Sequence, residues 1–257
     1  MAKRRNSNRR RRRGNFGFLY KLLSMLVICA AILAAITLFF KVETIEITGQ
    51  ERYTAQQVKA ETGIQSGDNL VLLNKYEIAA GIIDALPYVE EIRINRVLPD
   101  TLRIEVRECG TPLALVQDDA AWLISPKGKI VEQEKAVAAK NYASISGCQL
   151  LAPSVGTQMA FATEYSAKHS SLLALLEALG EAGMLEHLDG VRLDDLRVLR
   201  MDYAGRFTVE LPYGADYPYK LRFLQEVLSR EEIQDNMTGT FNMTRDDGKV
   251  NFIQNVR

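Results

Sequence analysis

The chain has 257 residues, 47% of them apolar, and its 32 basic and 32 acidic side chains give a formal charge of zero at neutral pH. That apolar share supports packed cores and excludes a chain disordered throughout. The zero is a cancellation: eight basic residues fall within the first 13 positions, leaving 24 basic against 32 acidic in the rest, so the two parts suit different surroundings.

The basic tail, residues 1–21, is followed by "LLSMLVICAAILAAITLFF", an uncharged run over 22–40. As a helix it reaches about 28 Å, close to the hydrocarbon thickness of a bilayer. A cleaved signal peptide would have a shorter apolar region and a small-residue cleavage site in polar sequence. Here Ala30, Ala31, Ala34 and Ala35 lie inside the run, so an uncleaved transmembrane signal anchor is expected. Nine basic residues precede it, counting Lys21, against Lys41, Arg52 and Lys59 just after it, which keeps the amino end in the cytoplasm. The tail then faces anionic lipid head groups. Its arginine run within the first 13 positions has no interleaved aromatics, and no nucleic acid is expected as its partner.

"VETIEIT", Val42–Thr48, alternates well enough for a short strand closed by Gly49. Thr54 caps a short helix in which Val58 and Ala55 face inward and Gly63 is the stop. Ile78, Ala79, Ile82, Ile83 and Leu86 recur at helical spacing from about Asn74, and Pro87 ends that helix. Val89, Ile92, Ile94 and Val97 mark a strand. Leu102, Ile104 and Val106 alternate with Arg103, Glu105 and Arg107 on another, and Pro99-Asp100 turns between them. The order is β-α-α-β-β.

Beyond residue 111, "PLALVQDDAAWLISPKGKIVEQ" reads as two strands joined through "SPKG". "SSLLALLEALGEAG" is a capped helix burying Leu172, Leu175, Leu176 and Leu179. A hairpin turns about Tyr203–Gly205, a second amphipathic helix uses Leu221, Leu224, Val227 and Leu228, and two last strands flank Asp247-Gly248.

No catalytic, cofactor-binding or metal-ligating set is found. His169, ahead of a helix, reads as a loop or capping residue. His187, near a helix end, reads as a solvated imidazole; neither histidine lies in a metal-ligand spacing. The adjacent carboxylates Glu90-Glu91, Asp118-Asp119, Asp194-Asp195 and Asp246-Asp247 point apart on strands or suit turns. An enzyme is not expected. Cys109 and Cys148 leave both a disulfide and two separate thiols open.

The G-x-x-x-x-T pattern at Gly49–Thr54, "GI..G.NL" from Gly63 to Leu70 and "P.V......R.LPDTL.I.V.E" from Pro87 to Glu108 together resemble a POTRA domain, a polypeptide-binding module, over 42–111. Directly after a single anchor with a short basic tail, they resemble the FtsQ/DivIB family of bitopic bacterial cell-division proteins. The resemblance implies an α+β fold: a single amino-terminal transmembrane helix, a β-α-α-β-β POTRA domain, and a mixed extracytoplasmic β domain with flanking helices over 112–257. It also implies a non-enzymatic scaffold at the division septum that binds FtsL-like and DivIC/FtsB-like bitopic proteins and helps regulate septal peptidoglycan synthesis, with no cofactor. A last strand at a sheet edge, with Val250, Asn251, Phe252, Ile253 and Gln254, would accept a partner strand. The POTRA face carrying Arg93, Arg103 and Arg107 is a second candidate surface. The alternative is a POTRA-bearing transport or envelope-assembly component, which would show several POTRA units and a β-barrel.

Overall fold

The computed structural model describes residues 16–230, 233–234, 236–245 and 250–255. Residues 1–15, residues 246–249, where the sequence places the last turn, and the final two residues lie outside that range. Helix α1 runs Phe16–Phe39, 24 residues, or about 36 Å. From Phe18 to Leu33 its large apolar side chains are exposed, as are Leu38 and Phe39, while Ile36 is half-buried; such an exposed apolar surface suits a lipid surrounding.

Strand β1 is Thr44–Thr48, α2 Ala55–Ala60, α3 Lys75–Ala85, β2 Val89–Val97 and β3 Thr101–Glu108. The three strands form one sheet in the order β1-β3-β2. Thr54 caps α2 as its sequence predicts: its hydroxyl accepts the Gln57 amide and the Gln57 side chain accepts the Thr54 amide. Val58 is buried, whereas Ala55 is exposed, because so short a helix buries a single position. Leu102, Ile104 and Val106 are buried in strict alternation along β3. On β2 the alternation breaks: Val89 and Ile94, five apart, are both buried, and Val97 faces solvent. At Gly49 the backbone has φ +83°, and a Cβ there would sit 2.3 Å from the Val106 carbonyl oxygen, so the turn after β1 needs glycine.

The chain divides into two compact units. The first gathers the segment through Glu46, Ile64–Lys75 and Ile94–Ile104. Inside it the exit from α1 is tied to Asp68–Leu70: the Asn69 amide donates to the Ile36 carbonyl at 2.9 Å, Leu70 N–H to the Phe40 carbonyl at 2.8 Å and Val42 N–H to the Asp68 carbonyl at 2.8 Å. The first two of these bonds reach carbonyls at the helix end, where intrahelical partners run out.

The second unit gathers Ile47–Gly63, Tyr76–Arg93 and everything from Glu105. Its larger sheet adds β4 Leu113–Gln117, β5 Ala120–Ile124, β6 Ile130–Lys135, β7 Ala143–Ser146, β8 Leu188–Arg192, β9 Val198–Tyr203, β10 Phe207–Pro212, β11 Gly239–Asn242 and β12 Asn251–Gln254. The order is β12-β11-β10-β9-β8-β7-β4-β5-β6. Helices α4, Ser166–Glu181, and α5, Tyr217–Leu228, contribute to one core with this sheet: Leu172, Leu175, Leu176, Leu179, Leu221 and Leu224 join Leu199, Met201, Val209 and Leu211. Each such side chain is worth about 1.5–3 kcal/mol of burial, far above the ion pairs on the opposite face, so the core sets this architecture.

Two expectations fail here. The stretch 112–133 holds three strands, because Asp118 and Asp119 both adopt positive φ and close a two-residue hairpin between β4 and β5. Helix α4 begins at Ser166 without a side-chain cap. His169 therefore lies inside the helix, bonded through Nε2 to the Met159 carbonyl and edge-on to Phe161.

Candidate partner-binding site

The end of the larger sheet is built by an unusual connection. After β10 the chain crosses through α5, capped by the Asp216 side chain on Tyr219 N–H, and returns as β11 parallel to β10. Strand β12 then pairs antiparallel outside β11, matching Gly239 with Gln254 and Phe241 with Phe252. Three aromatic rings hold this corner: Phe241 lies 5.1 Å from Phe207 and 4.7 Å from Phe252 between ring centroids. A Cβ on Gly239 would come within 2.6 Å of the Phe252 ring, so glycine there lets the ring close over β11. Lys220, buried on α5, donates to the Met243 and Arg245 carbonyls at 2.9 and 3.0 Å and holds the exit of β11.

On β12, Val250 and Phe252 are half-buried against the core. Asn251 and Gln254 are exposed, and Ile253 keeps 61% of its surface. The Asn255 amide donates to the Thr238 carbonyl. In an antiparallel ladder bonded and non-bonded pairs alternate, so Asn251 and Ile253 bond to β11 while the amide and carbonyl of Phe252 and Gln254 turn outward. Among the described residues β12 has β11 as its only neighbour in the sheet. Lys249 and Val256, which sequence assigns to the same strand, lie outside the described residues.

The other candidate surface is partitioned into ion pairs. Arg103 pairs with Glu46 at 3.0 Å. Arg93 and Arg107 share Glu91 at 3.0 and 3.8 Å, and the Arg93 hydrogen bond holds the Glu91 carboxyl below its usual range. On the outer face of the larger sheet Arg200 reaches Asp194, Asp195 and Glu210, and Glu210 accepts from Asn242. Asp195 also accepts the Arg197 and Val198 amides, which with Arg200 hold its carboxyl low.

The described residues contain no group of three or more histidine, cysteine or acidic side chains arranged to hold a metal ion. Cys109 and Cys148 are separate thiols, pushed up by burial to about 11 and about 12 respectively. Sequence reasoning did not single out Lys220 or Lys129. The Lys129 ammonium donates to the Ile83 carbonyl at 2.8 Å and to that of Val89 at 3.4 Å, and only a lysine amid apolar neighbours, in "KGKIV", hints at it.

Comparison with known proteins agrees with this architecture. The family model described as POTRA domain, FtsQ-type, matches residues 40–108. The cell division protein DivIB of Clostridium botulinum (strain Loch Maree) is 24% identical over 238 residues, covering 91% of each chain. The cell division protein FtsQ of Corynebacterium glutamicum is 31% identical over 111 residues, 42% of this chain and 50% of that one. FtsQ of Syntrophotalea carbinolica is 26% identical over 200 residues, 74% of this chain and 65% of that one. With an apolar amino-terminal helix, an FtsQ-type POTRA domain and a larger β-sheet domain in that order, the chain is similar over most of its length to the FtsQ/DivIB cell-division proteins.

Proposed function

We propose that this division protein is a non-enzymatic scaffold whose β12 edge accepts an extended segment of another bitopic division protein. The membrane-anchored chain comprises a cytoplasmic tail over 1–21, an anchor over 22–40, a POTRA domain over 42–111 and an extracytoplasmic β domain over 112–257. It acts at the septum, where FtsL-like and DivIC/FtsB-like proteins are its partners and control of septal peptidoglycan synthesis is the output. The tail contacts anionic lipid head groups.

One observation carries this reading: β12 ends the strand order with the backbone groups of Phe252 and Gln254 directed away from β11. An added strand completes such a ladder through main-chain bonds, while exposed side chains such as Ile253 supply selectivity. Sharing a membrane raises the local concentration of a weak partner.

The test is binding of residues 42–257 to the FtsL-like and DivIC-like ectodomains, with and without Gln254→Pro. Proline removes an outward amide and leaves the β11 bonds intact, as edge positions permit. Loss of binding by a variant that unfolds like the parent supports the edge. Unchanged binding removes it.

A further inference from the structure

We propose that two apolar loop tips of the first unit, Val71-Leu72 and Val97-Leu98, enter the lipid head-group layer beside the anchor. The membrane then meets this protein through a small surface as well as a helix. The inference rests on α1 crossing the bilayer.

The tips are conspicuously uncovered. Leu72 keeps 72% of its surface and Leu98 60%, with Val71 and Val97 at 40% and 38%. Two pairs of exposed large aliphatic side chains in one compact unit, one on the loop after Leu70 and one where β2 ends in its turn, ask for a partner, and bonds inside that unit give their height. Asn69 donates to the Ile36 carbonyl, three residues before the end of the span at Phe39, or about 4.5 Å inside it along the helix axis. The Asn69 side-chain oxygen in turn accepts the Val71 and Leu72 amides at 3.0 and 3.1 Å. The loop is thus tied, through one side chain, to the last turn of the spanning helix. The head-group layer is roughly 5–8 Å deep on each side of the hydrocarbon, so Val71 and Leu72 fall within it.

The second tip reaches the same level by a different route. The Asp100 carbonyl accepts the Glu43 and Thr44 amides at 3.0 and 3.3 Å, and Arg103 pairs with Glu46, so β1 and β3 run parallel from this end. Leu98 precedes both starts, on the side from which α1 enters. Arg96 joins the tips by donating to the Leu73 carbonyl. Glu43, Asp68 and Asp100 outnumber Lys41 and Arg96 in this unit, so no cationic excess draws the tips to lipid, and the contact is one of apolar insertion into a lipid surface of any head group.

The experiment uses the full chain reconstituted in phosphatidylcholine vesicles, with Leu72→Trp and Leu98→Trp made separately and the signal of the native Trp122 subtracted. With lipids brominated high on the acyl chain, each added indole is expected to emit to the blue and lose about half its intensity, with little dependence on salt. An added indole that emits as in water and is not quenched overturns the proposal. So does an indole shielded only after another single-span protein is co-reconstituted, which would make the tips a protein-docking surface. Unaltered thermal melting of each variant shows that the fold is kept. Failure of the parent chain to float with the vesicles would instead sink the anchor reading itself.

Discussion

The larger sheet has two edges, and the protein treats them in opposite ways. Strand β6 is covered where it begins: Ile130 donates to the Thr157 carbonyl and accepts from Gly156 N–H, both at 2.8 Å. Further along, Glu132 accepts from Arg52 at 2.9 Å and from the Tyr88 hydroxyl, with the Arg52 guanidinium 3.8 Å above the Tyr88 ring. Strand β12 is four residues long and directs backbone groups outward. Exposed edges invite pairing with other chains. A sheet that closes one edge with main-chain and charged contacts and leaves the other short and polar confines such pairing to one place.

The contrast can be broken in order of expected effect. Phe241→Ala removes the fully buried ring between Phe207 and Phe252 and is expected to cost about 3–5 kcal/mol of unfolding free energy. Urea unfolding measures this, with partner binding lost because the corner loosens. Lys129→Ala strips the ammonium from the Ile83 and Val89 carbonyls at the closed edge. A loss of roughly 2 kcal/mol is expected, with binding by the folded fraction unchanged. Gln254→Pro should weaken binding about tenfold, or about 1.4 kcal/mol, while stability moves by less than about 0.5 kcal/mol. If it also lowers stability strongly, its amide bonds within the sheet and the outward assignment is wrong.

The smallest effect is titration. Asp195, held low by the Arg197 amide, and Glu91, held low by Arg93, have folded values below their unfolded ones. Their support is fully present above the ordinary carboxylate range, about pH 4, and is lost as pH falls through the folded values. Urea midpoints from pH 5 to 3 should flatten slightly in Asp195→Asn and Glu91→Gln.

How far these features were legible depends on how local their causes are. Leu102, Ile104 and Val106 alternate without interruption, and Thr54 with Gln57 is a cap written in four residues, so both could be read from sequence. The β4–β5 hairpin turns on Asp118-Asp119, which reaches positive φ without the glycine that usually signals it. Tyr165 offers α4 no capping oxygen, and His169 passed for a loop residue. The last strand was visible as a strand, but its place in the sheet depends on β11 lying parallel to β10 across α5, a non-local fact. Lys129 and Lys220 resemble solvated lysines until the carbonyls they reach are assembled around them.

The joint after α1 bears on how the protein meets anything at all. Phe40 and Val42 are bonded to Asp68 and Leu70, and Glu43 to Asp100, so no slack peptide separates the anchor from the strands that follow it. A loose tether would let the first unit tumble through every orientation. This joint acts instead as a fixed mast, leaving sliding in the membrane plane and spinning about the membrane normal as its main freedoms, so that encounter with another anchored chain becomes a search in two dimensions.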